Sequence, residues 1–186
     1  MYPVSPSAPR LVLREITHDD VDAVHAIYGN EEATRHLSFE PRTREQVEAI
    51  VERSVTSAVA SPRDEYWLAV TARETAELIG YARLALDPHQ PMAATMGFAL
   101  RPDAWGQGLG TETVRALLSL AFDHLGLHRV WAARAPLNTA SHKTLIRAGM
   151  TEEGRIREHV HVRGAWRDSV TYSVLDHEWR RPHGRG

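Results

Sequence analysis

The chain has 186 residues, 42% hydrophobic and 25% charged, an ordinary globular composition that one compact domain accommodates. Its 22 Lys and Arg against 24 Asp and Glu leave a net charge of -2, so no broad basic field exists to drive sequence-independent binding of nucleic acid. The absence of cysteine excludes a disulfide scaffold, thiolate zinc ligands and a cysteine nucleophile, and makes a reducing, cytoplasmic setting the expectation.

The start, Met1 to Pro6, has no basic segment leading into an apolar one, and no run of about 18 apolar residues follows, so neither a secretory leader nor a membrane span is expected. Leu11 to Leu13, apolar and bounded by charge, predicts a first strand. A helix follows, with Asp19 and Asp20 where its unpaired amides favour carboxylates and Gly29-Asn30 as its stop. From Thr43, Val47, Ile50, Val51, Val55 and Val59 recur at helical spacing, Thr43 and Gln46 form a capping box, and Ser61-Pro62 ends this second helix. Residues 65–72 and 78–86 are rich in β-favouring side chains and read as a hairpin; 93–100 is a further strand, closed by Arg101-Pro102.

Residues 105–111 read Trp-Gly-Gln-Gly-Leu-Gly-Thr and open a helix whose Val114, Leu117, Leu118, Ala121, Phe122 and Leu125 follow a 3.6-residue period up to Gly126. Next come a strand at 128–134, a helix at 138–148 stopped by Gly149, and a hairpin of 154–162 with 166–174 around Arg163-Gly164. No repeat or linker divides the chain, so 1–179 is expected to form one domain and 180–186 a frayed tail.

Glycines at 106, 108 and 110 expose backbone amides, and the helix behind them adds partial positive charge, a setting that suits phosphate. A tight turn without a ligand is the other reading of three glycines. Two rival phosphate motifs fail on spacing. A dinucleotide fingerprint starting at Gly106 would place its last glycine on Thr111, and a P-loop would need a lysine before Thr111 where Gly110 stands.

The segment Phe98 through Gly110, with Asn138-Thr139-Ala140-Ser141, resembles the GNAT superfamily of acetyl-CoA-dependent N-acetyltransferases. Glu153-Gly154, Arg157-Glu158, Gly164, Asp168 and Tyr172 look like its RimJ/RimL-type branch. The order of predicted elements is also that family's. The resemblance implies an α/β fold: a mixed central sheet of about seven strands, flanked by about four helices and splayed between the strand ending at Leu100 and the strand at 129–134. Acetyl-CoA would lie in that wedge. Its pantetheine arm would meet the main chain of Phe98, Ala99 and Leu100, and its pyrophosphate the amides of Trp105, Gly106, Gln107, Gly108, Leu109 and Gly110, with Thr111 closing the loop. Asn138 and Ser141 would complete the cofactor site, the Ser141 hydroxyl protonating or hydrogen-bonding the sulfur. From local sequence alone, Asn138 reads as a helix N-cap and Ser141 as a first-turn serine bonded to its own backbone.

Transfer to an amine requires a neutral nitrogen, a polarised thioester carbonyl and a proton for the departing thiolate. Where the family often carries a glutamate before the loop this chain has Thr95, which takes no proton at neutral pH. Glu158, His159 and His161 on the penultimate strand and Glu40 between the first two helices are the remaining candidate bases, with Glu158 and His161 named beside Ser141 as catalytic. Strand alternation puts Glu158 and His159 on opposite faces and His159 with His161 on one. A water relay, or capture of the neutral fraction of the amine, is the other account. Glu40, Asp168 and Tyr172 are candidate acceptor-binding residues; Asp168 and Tyr172, four apart on one strand, either line the acceptor pocket or join a buried hydrogen-bond pair. His159-Val160-His161 lacks a third ligand at metal-site spacing, so no metal is expected. The implied acceptor is a peptide or protein α-amine, or a small amino metabolite or antibiotic, and a homodimer is compatible with the resemblance. The alternative, motivated by Thr95, is a non-catalytic acyl-CoA sensor or interaction module.

Overall fold

The structure, a computed structural model, describes residues 2–90 and 92–180; the expected tail lies outside them from 181 onward. Its strands are β1 (Leu11–Glu15), β2 (Glu65–Ala72), β3 (Leu78–Leu86), β4 (Ala93–Leu100), β5 (Arg129–Arg134), β6 (Thr151–Val162) and β7 (Ala165–Leu175). They form one sheet in the order β1-β2-β3-β4-β5-β7-β6. All neighbours run antiparallel except β4 and β5, which run parallel. The sheet is therefore mixed and has the expected number of strands.

Alternation along β2, β3 and β4 sends successive side chains to opposite faces, and each face has its own core. Leu68, Leu84 and Met96 bury against Val114, Leu117 and Leu118 of α4 (Leu109–Ser119). Ala69, Tyr81 and Ala99 bury against Val24 and Ile27 of α1 (Val21–Tyr28) and Val47 and Val51 of α3 (Arg44–Ala58). Each fully buried Leu or Val contributes roughly 1.5–3 kcal/mol. The capping box foreseen at Thr43 and Gln46 is formed.

Six α-helices are present among the described residues where about four were expected. The two additions are α2 (Glu31–Thr34) and α6 (Asp176–Trp179), each a single turn and too short to show a 3.6-residue period. Asn30, read as part of a stop signal, starts α2 by accepting a hydrogen bond from the Ala33 amide. After Ser119 the α4 chain continues as a π turn, Leu120–His124, so the α-helical period does not run on to Leu125. Gly126, at φ +65°, then releases the chain into β5.

Two departures from regular pairing shape the site. β4 and β5 pair only through Ala93–Thr95 and Arg129–Trp131, after which the two strands separate. β6 is interrupted between Ile156 and Val160, which pair with Ser169 and Arg167, so three residues of β6 face one of β7. Glu158 sits in that bulge at φ +48°. No helix among the described residues is long and apolar enough to cross a membrane.

Candidate active site

The parted strands open a cleft of about 980 Å³. On its β4 side, Arg101 N to Ile79 O at 2.8 Å and Asp87 N to Ala93 O at 2.9 Å fix which residues bond to β3. By the antiparallel ladder rule the odd-numbered residues of β4 face β3, so the main chains of Met96 and Phe98 face the gap. Ala99 therefore spends its backbone on β3 and gives only its side chain to the cleft. On the far side, Asp176 N to His128 O at 2.9 Å sets the same alternation between β5 and β7 and turns the main chain of Ala133 toward β4. Unpaired strand groups of this kind need water or a ligand with amides of its own.

The glycine loop closes one end of the cleft. Gly106 and Gly108 adopt φ +74° and +81°, which a β-carbon disfavours. At Gly110 the reason is proximity: a Cβ would lie 3.4 Å from both the Phe98 ring and Thr144 of α5 (Thr139–Arg147). The amides of Gly106 through Gly110 donate to no other described residue. The Trp105 amide is already bonded to Pro102 O at 3.1 Å, so the run of free donors begins one residue later than the sequence suggested. Free amides at the head of an eleven-residue helix form an anion site. Lys143 and Arg147, flanking Thr144 on α5, also line the cleft.

Every cofactor candidate except Gln107 borders this space. Gln107 turns away: its carbonyl accepts from Arg10 Nη2 at 2.9 Å and its side-chain amide donates to Asp103 O at 2.9 Å. Trp105 places its ring at the mouth and donates Nε1 to Leu100 O at 2.8 Å. Asn138 caps α5 through its side-chain oxygen, 3.0 Å from the Ser141 amide. Ser141 lines the cleft half-buried, and its hydroxyl bonds to no described residue, so it is not engaged with its own backbone.

The proposed bases and acceptor ligands do not converge. The β6 bulge cancels the simple alternation: His159 and Val160 border the cleft, whereas Glu158 and His161 do not. Glu158 is exposed and donates its amide to Asp168, while His161 meets the exposed Trp166 ring edge-on at 5.2 Å. Asp168, bonded to Arg155 Nε at 2.6 Å, is held below its ordinary pKa by the Glu158 amide and then by that guanidinium. Tyr172 is fully buried beneath α5, its hydroxyl joined to Glu152 at 2.5 Å, His142 at 2.8 Å and Arg134 at 2.9 Å; burial and then Glu152 raise its pKa. Asp168 and Tyr172 thus belong to separate hydrogen-bond groups outside the cleft. Glu40 also lies outside, accepting from the Arg163 amide at 3.2 Å.

The sequence reading missed the wall opposite the glycine loop. Tyr28, Trp67, Tyr81 and Arg83 line it, with Arg167 and Ser169 from β7. Tyr28 and Tyr81 stand edge to face at 5.1 Å, and Trp67 lies 5.1 Å from Tyr81. For Trp67, Tyr81 and Arg83 the signal was present as odd-numbered positions on β2 and β3, but only the register Trp67–Arg83–Gly97 brings them together; Tyr28 from α1 and Arg167 and Ser169 from β7 carried none. Thr95 lines the cleft on the last rung that β4 shares with β5. No group of three or more metal-ligating side chains occurs among the described residues.

Residues 10–151 match the family model of the acetyltransferase (GNAT) domain. An uncharacterized N-acetyltransferase of Bacillus subtilis, YoaA, is 30% identical over 94% of this chain and 98% of its own length. Among solved structures, Mycobacterium smegmatis RimJ in complex with CoA-disulfide superposes with a TM-score of 0.82 at 21% identity, covering 95% of this chain and 90% of that one. Spermidine N-acetyltransferase from Vibrio cholerae, in complex with CoA and spermine, gives 0.80 at 20% identity over 92% and 99%. This chain belongs to the GNAT acetyltransferase family, and it is an N-acetyltransferase.

Proposed function

We propose that this chain, as one domain spanning residues 1–179, transfers the acetyl group of acetyl-CoA to a primary amine by direct attack within a ternary complex. The observation that carries this reading is the run of free amides from Gly106 to Gly110 beside strands that part after Thr95 and Trp131. The donors present fit the cofactor: amides and a helix N-terminus for its pyrophosphate, with Lys143 and Arg147 nearby, and the open edges of Met96, Phe98 and Ala133 for its pantetheine amides. When bound, acetyl-CoA supplies an activated acyl group. Ser141 donates its hydroxyl proton or a hydrogen bond to the departing sulfur, a role for which its free hydroxyl suits it. His159, the one of the four candidate bases that borders the cleft, accepts the amine proton directly or through water. The aromatic wall of Tyr28, Trp67 and Tyr81 excludes water from the acceptor side and so favours the neutral amine. Relatives and neighbours include spermidine acetyltransferases and ribosomal-protein acetyltransferases, so both small and peptide amines belong in a screen. The test incubates the chain with acetyl-CoA and an amine panel, and follows free thiol together with product mass. Turnover with a primary amine supports the reading; saturable binding of acetyl-CoA with no turnover on any amine supports a sensor instead.

A further inference from the structure

The acceptor wall is richer in positive than in negative charge, and part of that positive charge is uncompensated. Arg53, Arg83 and Arg167 line it, against Glu32 and Glu65. Glu65 is already committed: one oxygen accepts from Trp67 Nε1 at 2.5 Å and the other from Arg83. Arg53 forms no ion pair and no hydrogen bond among the described residues, resting instead 5.1 Å above the Trp67 ring, whose centroid lies 4.9 Å from the Arg83 guanidinium. Arg167 donates Nη1 only to the neutral carbonyls of His36 and Leu37, at 3.3 and 3.0 Å. The buried Nε groups of Arg83 and Arg167 have no acceptor among the described residues. A half-buried guanidinium that meets only neutral carbonyls, as at Arg167, is costly unless an anion meets it.

Position strengthens the argument. Arg83 is paired in register with Gly97, two residues beyond Thr95, the last residue that β4 shares with β5. Gly97 is exposed, and a Cβ there would touch nothing within 4 Å, so the floor beside Arg83 is open where the strands part. Arg167 is linked to the same wall through Leu37, whose neighbour Phe39 lies edge to face with Tyr28 at 4.9 Å. Burial first, and then the charges of Arg35 and Arg167, lower the pKa of His36 on this wall. A polycationic amine would meet one uncommitted carboxylate here, Glu32, and two guanidinium groups without a carboxylate partner, Arg53 and Arg167, beside the Arg83–Glu65 pair.

We propose that the acceptor is a primary amine that also bears an anionic group, a carboxylate or a phosphate, held by Arg167 with Arg53 at the rim, beside the Arg83–Glu65 pair. The proposal rests on the acetyltransfer reading above and names its substrate class.

The experiment measures kcat/KM by thiol release, with saturating acetyl-CoA, for β-alanine, O-phosphoethanolamine, their neutral counterpart 3-aminopropanol, and spermidine. The expected result is that at least one anionic amine exceeds 3-aminopropanol by about tenfold or more, the usual margin when a built polar contact is left unpaired. Which anionic amine leads separates a carboxylate source from a phosphate source. Arg167→Gln and Arg53→Gln should each bring the ratio toward one, chiefly through KM. Arg53 is exposed and bonds to nothing, so its replacement reads recognition rather than folding. Preference for spermidine or 3-aminopropanol, or a ratio that survives in both variants, overturns the proposal while leaving acetyltransfer intact. Acetyl-CoA binding without turnover on any amine overturns acetyltransfer, and this proposal with it.

Discussion

Arg10 and Glu112, 102 residues apart in sequence, are joined by a hydrogen bond of 2.7 Å from Nε to Oε1, and the same guanidinium donates Nη2 to Gln107 O at 2.9 Å. The segment before β1 thereby braces the glycine loop against the first turn of α4. Because the pair is exposed, Arg10→Ala should change global stability by no more than about 1 kcal/mol. Its effect should instead appear in the loop, with coenzyme A binding weakened about fivefold, the equivalent of roughly 1 kcal/mol. Calorimetric titration beside a thermal melt of the same variant separates the two effects.

Ser141 is tested by removing only its oxygen. In Ser141→Ala the Asn138 cap on the residue 141 amide is retained, so α5 should stay in place. Turnover should fall by roughly tenfold or more at unchanged acetyl-CoA affinity if the hydroxyl assists the sulfur. Unaltered kcat would remove Ser141 from the chemistry.

Arg63 and Glu15 form a two-point bond of 2.8 and 2.9 Å, with side chains only 4% and 10% exposed, and Glu15 also accepts from the Val4 amide. Arg63→Ala strands a buried carboxylate and should destabilise the chain by about 3–5 kcal/mol in denaturant unfolding. The double variant Arg63→Met, Glu15→Leu should recover much of that loss, because the cost lies in the orphaned charge.

Asp20 predicts a specific acid sensitivity. Burial would raise its pKa, but the two 2.7 Å bonds from Arg14 and the 2.8 Å bond from the Thr17 amide outweigh it and hold the carboxyl below its ordinary 3.8. The folded chain therefore binds this proton less tightly than the unfolded chain. The resulting stability is fully present above that ordinary value and is lost as pH falls through the folded one. Asp20→Asn should flatten the acid limb of a stability–pH curve below about pH 4, which urea titrations at stepped pH would detect.

What the sequence made legible follows from how local each signal is. β2, β3 and β4 begin and end where the residue pattern places them, because turn residues and proline bound each alternating segment. The glycine loop was legible because its three glycines and the helix behind them are contiguous. The β6 bulge was not: Glu158 enters left-handed geometry without a glycine to announce it, and that shift puts His159 at the cleft while Glu158 faces away. Tyr28, Trp67, Arg83 and Arg167 come from four separate elements, so their shared wall exists only once the sheet register is set. Tyr172 matched a family pattern, yet Arg134, His142 and Glu152, which hold it beneath α5, are its neighbours only in space.

The central claim is that the loop amides grip the phosphates of coenzyme A. Isothermal titration of coenzyme A into the intact chain and into Gly108→Val tests it most directly, since the substitution disturbs the φ +81° turn that aims those amides. The account predicts one saturable site in the parent and at least about tenfold weaker binding in the variant, or roughly 1.4 kcal/mol. No heat from the parent, or equal affinity in a folded variant, would contradict it.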